Sequence, residues 1–228
     1  KSNYDSTVLE KMLGNISSSS TLALTHIYME SYDVSQMSLA LEASIEGLIS
    51  ALDEIQIDTS SSSRSSAKIT NYNSDKLGSM LERITTSATG VLGDIEMEGY
   101  SSNNLSLMVE KITAGATSAL DEIQMEGFSS DNLSSMVQEI TSGATGALDE
   151  IEMAGFDPST DVFSMTEKVI LGTTGALSEI EMEGYDSDDL EGMIEGVTTG
   201  AMSAINELQS AGLDQNNMSN MMKSISSS

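Results

Sequence analysis

The residues of this sequence that could do chemistry are carboxylates. Their densest group is Glu183, Asp186, Asp188 and Asp189, and carboxylate oxygens are the ligands that Ca²⁺ prefers. The group does not follow an EF-hand loop, because Leu190 stands at the fifth position, where an oxygen ligand is required. The sequence therefore favours a solvated acidic surface, with a low-affinity Ca²⁺ site at these four residues as the alternative.

Other chemical groupings are weak. The chain has no Cys, which excludes disulfides, thiolate metal sites and thiol nucleophiles, and its one histidine, His26, has no second His for sharing a metal. A Ser-x-x-Lys match at Ser65–Lys68 falls in a Ser-rich stretch. Paired carboxylates occur throughout the chain, so no pair stands out as a general acid and base. We expect no catalytic site and no enzymatic activity.

The charge of the chain excludes several partners. It carries 36 Asp and Glu against 9 Lys and Arg, a formal charge of −27, so nucleic acid and anionic membrane would both repel it. No apolar run approaches the ~18 residues of a transmembrane helix. The charge is lowest at the ends: residues 1–32 carry two lysines and three acids, whereas residues 186–213 carry six acids and no base. The ends are therefore the least repulsive places for another subunit.

An aromatic residue or leucine followed by a Ser/Asp/Asn cluster recurs along the chain. The spacing is 28 residues, apart from one step of 29 and one of 40. These markers are Tyr4, Tyr32, Tyr72, Tyr100, Phe128, Phe156, Tyr185 and Leu213. The pattern divides the chain into two repeats (1–59), a Ser-rich linker (60–71), five repeats (72–213) and a truncated half-repeat (214–228).

Each repeat has the pattern of an amphipathic helix, because apolar and small residues recur in steps of four and three. An N-capping residue follows each marker, and a Gly suited to a Schellman closure, with Ile95 or its equivalents at C3, precedes five of them. The sequence predicts an all-α protein of about seven antiparallel helices of ~24 residues, plus a short C-terminal half-helix. The short links predict stacking as an α-solenoid or an elongated helical bundle.

Gly, Thr and Ser concentrate in the middle of each repeat, as in the stretch 141–146. This stretch could break the helix, but the apolar pattern crosses it without a phase shift, which favours close backbone approach at a helix crossing. Gly192, Gly196 and Gly200 would allow the same approach. Methionines recur beside the apolar seam and are predicted to fill the core, with an exposed Met groove as the alternative. They are Met80, Met108, Met136, Met165 and Met193.

The repeats favour a non-enzymatic role as a scaffold or surface interaction component that assembles end to end into a filament. The truncated half-repeat carries an apolar stripe that we interpret as a candidate interface, with a cap on the end of the stack as the alternative. The stripe consists of Met218, Met221, Met222 and Ile225. The expected partners are proteins, either further copies of the chain or another surface component. The composition predicts a bacterial protein that is extracellular, on the cell surface or in the periplasm.

Overall fold

The computed structural model describes residues 6–26, 33–57, 74–95, 100–123, 130–151, 157, 160–178, 180, 187–210, 219 and 223. Within these residues the chain is all-helical and has no β-strand, as predicted. The α-helices are α1 (Ser6–His26), α2 (Val34–Ile57), α3 (Ser74–Gly90), α4 (Ser102–Ser118), α5 (Ser130–Gly146), α6 (Asp161–Leu177) and α7 (Ser187–Ser210).

The helices form two layers, because each helix packs most closely against the helix two further along the chain. One layer holds α1, α3, α5 and α7, and the other holds α2, α4 and α6. Within a layer the helices run parallel: Ser134 and Gln138 of α5 lie against Gly196 and Gly200 of α7, in the same order along both helices. Consecutive helices are antiparallel and lie in different layers, which confirms the predicted antiparallel stack.

The Ser-rich insertion does not interrupt this stack. Helix α2 precedes it and packs against α4 beyond it, and Lys111 Nζ lies 3.0 Å from Glu42 Oε2 across that contact. Residues 60–71 themselves lie outside the described residues. The two repeats before the insertion and the repeats after it therefore share one helical stack.

Helix starts follow the predicted capping pattern at two places. Gln36 N donates to Asp33 Oδ1 (2.9 Å) and Asp33 N donates to Gln36 Oε1 (3.3 Å), which is a reciprocal capping box. Ser101 N likewise donates to Asn104 Oδ1 at 2.9 Å. The N-caps predicted at Asp33 and Ser101 are confirmed.

The start of the sixth repeat differs from its prediction. Helix α6 begins at Asp161 with Thr160 as its N-cap, so the N-cap predicted at Asp157 is wrong. Thr160 N and Asp161 N donate to Asp157 O, at 3.1 and 2.8 Å, and Asp157 N donates to Asp161 Oδ2 at 2.8 Å. These bonds form a turn that accommodates the extra residue of this 29-residue repeat.

Most helices end earlier than the predicted ~24 residues. Helices α3 to α6 have 17 residues each, whereas α2 and α7 have 24. After α3, α4 and α5 comes a four-residue 3₁₀ turn, and the backbone is then extended, with φ −75° and ψ 111° at Ile95. The closure predicted with Ile95 at C3 is therefore wrong. Residues three apart share one side of a 3₁₀ turn, so Leu120 and Ile123 are both buried while Asp121 is exposed.

Tyr100 joins two helices. The phenol donates to Leu92 O (3.3 Å), at the end of one helix, and lies 3.5 Å from Met108 Sδ on the next. Burial raises the pKa of the Tyr100 phenol far above its ordinary value, which keeps it protonated as a donor.

The core lies between the two layers and contains the methionines that flank the apolar seam. Met80, Met108, Met136, Met165 and Met193 are fully buried. Core filling is confirmed for these five residues, and the exposed Met groove is wrong for them.

Candidate interaction faces at the ends of the stack

The same close contact between backbones joins each helix to the helix two further along the chain. The repeat position of a residue is its number minus the number of the aromatic marker of its repeat. In the sixth repeat, which contains one extra residue, one more is subtracted for the residues that follow it. The backbone carbonyl at position 10 of one helix faces a glycine at position 15 of the helix two further on. A Cβ on Gly143 would lie 2.6 Å from Glu82 O, and one on Gly115 would lie 2.5 Å from Glu42 O.

These glycines allow the close backbone approach that the sequence predicts, so the helix-breaking interpretation of 141–146 is wrong. In the contact of α1 with α3, the glycine lies on the other helix of the pair. There the glycine is Gly14, at position 10, and its partner at position 15 is Ser87, whose Oγ would lie 2.8 Å from a Cβ on Gly14. Gly196 and Gly200 make the predicted approach, whereas a Cβ on Gly192 would meet open space.

Hydrogen bonds set the register of this contact. Ser17 Oγ at position 13 of α1 donates to Ile84 O at position 12 of α3 (2.9 Å). Thr113 Oγ1 at position 13 of α4 repeats this bond to Val169 O of α6 (3.4 Å). One register therefore serves both layers.

Ion pairs follow the same register. Lys111 Nζ is 3.0 Å from Glu42 Oε2, and Lys168 Nζ is 2.7 Å from Glu110 Oε2. In both pairs the acid stands at position 10 and the lysine at position 11 two helices later. Such half-exposed pairs contribute only ~0.2–1 kcal/mol each, so they fix register more than they stabilise the stack.

The outer side of α1 is an apolar surface that no described residue covers. Val8, Met12 and Ile16 are 47%, 46% and 49% exposed, and their i, i+4, i+8 spacing places them in one stripe. We call this stripe the α1 face. Positions 8 and 12, occupied here by Met12 and Ile16, are buried in every described repeat from the third to the seventh. The α1 face thus includes two repeat positions that belong to the core in later repeats, but no described helix covers it.

Helix α2, at the same end of the stack, exposes a stripe of uncharged residues. Its exposed stripe repeats every four residues, and Gly47 stands at position 15 with nothing within 4 Å of an added Cβ. The stripe consists of Ser35, Leu39, Ala43, Gly47 and Ala51. Position 15, where the glycines of α4 to α7 contact a backbone carbonyl, is therefore uncovered on α2.

The opposite end is formed by α6 and α7. Ile194 at position 9 is 46% exposed, although position 9 is buried in all six preceding repeats. Glu191, Glu195 and Thr199 are exposed beside it. We call Glu191, Ile194, Glu195 and Thr199 the α7 face.

The two ends differ in charge. Among the residues of α1 and α2 whose exposure the structure describes, the exposed ones include Lys11 and no acid, whereas those of α6 and α7 include no base and four acids. These acids are Glu167, Asp188, Glu191 and Glu195. Exposed acids also lie along the middle of the described stack, at Asp75, Asp94, Asp121, Asp149 and Glu150.

A further carboxylate, which makes no ion pair with a described residue, lies between helices. Glu139 of α5 lies beside Gly78 of α3, where a Cβ would be 3.3 Å from Glu139 Cγ. Burial raises the pKa of the Glu139 carboxyl above its ordinary value, because the charged form is desolvated.

The predicted cation site is only partly within the described residues. Asp188 and Asp189 lie in the first turn of α7, while Glu183 and Asp186 lie outside the described residues. Among the described residues, no group of three or more His, Asp or Glu side chains is arranged to hold a metal ion. The four-residue site therefore stays a prediction.

The interface predicted at Met218, Met221, Met222 and Ile225 lies outside the described residues and also stays a prediction. The α1 face was not predicted as an interface. A signal for it exists at position 4, where the six later repeats have polar residues and the first has Val8. These polar residues are Gln36, Lys76, Asn104, Asn132, Asp161 and Asp189.

No protein-family model matches this chain, and no curated protein is significantly similar to it. Among the described helices, none combines the length and the apolar character needed to cross a membrane.

Proposed function

We propose that this protein is a non-enzymatic, acidic helical-repeat scaffold that acts through protein contacts at its two ends and assembles end to end. The observation that carries the proposal is the exposure of Met12, Ile16 and Ile194 at repeat positions that are buried inside the stack. Exposed surface of core composition is typical of protein interaction sites.

A structural use of the polar groups supports the non-enzymatic part of the proposal. The hydroxyls of Ser17 and Thr113 donate to carbonyls of neighbouring helices, and Lys111 and Lys168 pair with acids two helices away. These groups therefore have a structural use in the stack.

The expectation that such a scaffold lies outside the cytoplasm rests on its acidic, Cys-free composition. Fractionation of the source cells with an antibody against the protein tests this part. Recovery of the protein only in the cytoplasm would contradict it.

Sedimentation velocity and light scattering test end-to-end assembly. With a charge of −27, copies repel one another at low salt, so we expect larger species as protein concentration rises and as salt screens the repulsion. Linear assembly predicts a broad series of sizes without a closed endpoint. A monomer at all concentrations and salt conditions would overturn the assembly.

A further inference from the structure

We propose that the α7 face binds a helix of another protein, one that carries a lysine and, four residues later, a glycine. This inference rests on the proposed contacts at the two ends of the stack and names the chemistry of one partner. The template is helix α6, which covers the side of α4 that carries Glu110 and Thr113. On α7 the corresponding side carries Glu195 and Thr198, and no described helix covers it.

The contact of α4 with α6 shows what this side of a helix receives. Glu110 stands at position 10, where its carboxylate lies 2.7 Å from Lys168 Nζ and its backbone carbonyl lies against Gly172. Thr113 Oγ1, at position 13, lies 3.4 Å from Val169 O. A lysine and a glycine four residues apart on one helix therefore both contact the same glutamate.

The contact of α2 with α4 repeats the two interactions of the glutamate. Glu42 at position 10 pairs with Lys111 at 3.0 Å, and its carbonyl oxygen would lie 2.5 Å from a Cβ on Gly115. The third covered glutamate at position 10, Glu82, also faces a glycine, but the neighbouring helix has Glu139 at position 11. The glycine is thus constant at these three contacts, while the residue at position 11 varies and can select a partner.

The α7 face has the same groups at the same positions. Glu195 stands at position 10 and Thr198 at position 13, and Thr198 Oγ1 donates to Ile194 O (3.0 Å) as Thr113 Oγ1 donates to Val109 O (3.2 Å). Ile194 at position 9 is 46% exposed, whereas Val109 at position 9 of α4 is fully buried. A helix that packs on α7 as α6 packs on α4 would lie beside Ile194.

Charge favours a base at position 11 of the partner helix. Inside the stack, a side chain at position 11 also approaches position 6 of the earlier helix, because Glu139 Cγ would lie 3.3 Å from a Cβ on Gly78 at position 6. On α7, Glu191 occupies position 6 and Glu195 position 10, and both are exposed. A lysine at position 11 of the partner would therefore lie between two carboxylates, whereas an acid there would be repelled by both.

The partner helix must come from outside these 228 residues. A Lys or Arg followed four residues later by Gly occurs twice in the sequence, at 111–115 and 168–172. Both lysines are already paired inside the stack, with Glu42 and Glu110. Another copy of the chain thus offers no uncovered pair of this kind, and we assign the helix to a second protein.

A peptide of residues 160–178 serves as the probe, because it contains the Lys168 and Gly172 pair. A lactam between Leu171→Glu and Gly175→Lys holds it helical; both residues are exposed in the chain, and a Cβ on Gly175 would meet nothing within 4 Å. Fluorescence anisotropy of the labelled peptide measures its binding to the whole chain at ~0.15 M NaCl. We expect saturable binding, and no binding at ~1 mM chain would overturn the proposal.

Matched variants locate the binding site. Lys168→Glu in the peptide and Glu195→Lys in the chain should each weaken binding at least ~10-fold, and the two together should restore part of it. Gly172→Leu favours the peptide helix but would clash with the Glu195 carbonyl, so it should prevent binding; tighter binding would overturn the proposed register. The control Ser135→Glu, at an exposed residue of α5, should bind like the wild type. Circular dichroism of each chain variant verifies that its helices are retained.

The outcomes separate this proposal from the end-to-end assembly. A wild-type chain that assembles in sedimentation but does not bind the peptide overturns only the partner helix. A chain that stays monomeric but binds the peptide overturns only the assembly. If Glu195→Lys changes self-association and leaves peptide binding unchanged, a second copy occupies the α7 face and the proposed partner is wrong.

Discussion

The closest helix contact makes a sharp prediction at two glycines of one helix. Gly143 and Gly146 both lie in α5, three residues apart, but only Gly143 faces α3. A Cβ at Gly143 would lie 2.6 Å from Glu82 O, 2.7 Å from Thr85 Oγ1 and 2.9 Å from Thr86 Oγ1, whereas one at Gly146 would meet nothing within 4 Å. Gly→Ala should therefore have opposite effects at the two positions.

The magnitude follows from these distances. To reach ordinary contact at about 3.4 Å, α5 must move away from Glu82 by about 0.8 Å. Such overpacking costs up to ~3 kcal/mol, and the better helix propensity of Ala offsets ~1 kcal/mol of it. Gly143→Ala should thus destabilise the protein by ~2 kcal/mol. Gly146→Ala, on helical backbone with φ −62° and ψ −29°, should stabilise it by ~0.5–1 kcal/mol.

Thermal unfolding followed by circular dichroism measures the difference. For a chain of this size ~1 kcal/mol corresponds to roughly 2–4 °C in Tm, so Gly143→Ala should lower Tm by roughly 4–8 °C and Gly146→Ala should raise it by roughly 1–4 °C. Equal shifts of the same sign would refute the argument from close approach. The pair Gly172→Ala and Gly175→Ala repeats the test where α6 packs against α4.

Three further predictions concern a hydroxyl, a carboxyl and the cation site. Thr117 Oγ1 is buried without a hydrogen-bond partner among the described residues, so Thr117→Val should stabilise by ~1 kcal/mol in urea unfolding, while Thr113→Val, which removes the bond to Val109 O (3.2 Å), should destabilise by a similar amount. Because burial raises the Glu139 pKa in the folded state, its contribution to stability is fully present below the ordinary glutamate pKa and is lost as pH rises through the raised value. Glu139→Gln should accordingly raise Tm at pH ~7 and lose that advantage near pH ~4, and a gain confined to acid pH would reverse the assigned sign. At the predicted cation site, Asp188→Asn with Asp189→Asn should abolish the heat of Ca²⁺ binding in calorimetry, and a wild-type chain that gives no heat has no such site.

The sequence by itself determined what is local and periodic. Helical spacing, the caps at Asp33 and Ser101 and the burial of Met108 all follow from residues within one repeat, and repetition makes each pattern visible several times. The small residues at helix crossings could be predicted for the same reason. Gly is unfavourable in a helix interior, so its recurrence at regular positions indicates close packing against another helix.

The tertiary structure decided what depends on neighbours. An amphipathic pattern defines an apolar side but not which helix covers it, and only the fold shows that helices two apart pack most closely. The 3₁₀ ends of α3 to α5 likewise arise because Leu120 and Ile123 can then be buried together, which local propensity does not reveal. The same reason applies to the end faces. Met12 resembles Met80 and Met108 in sequence, and it is exposed because no described helix lies beside it.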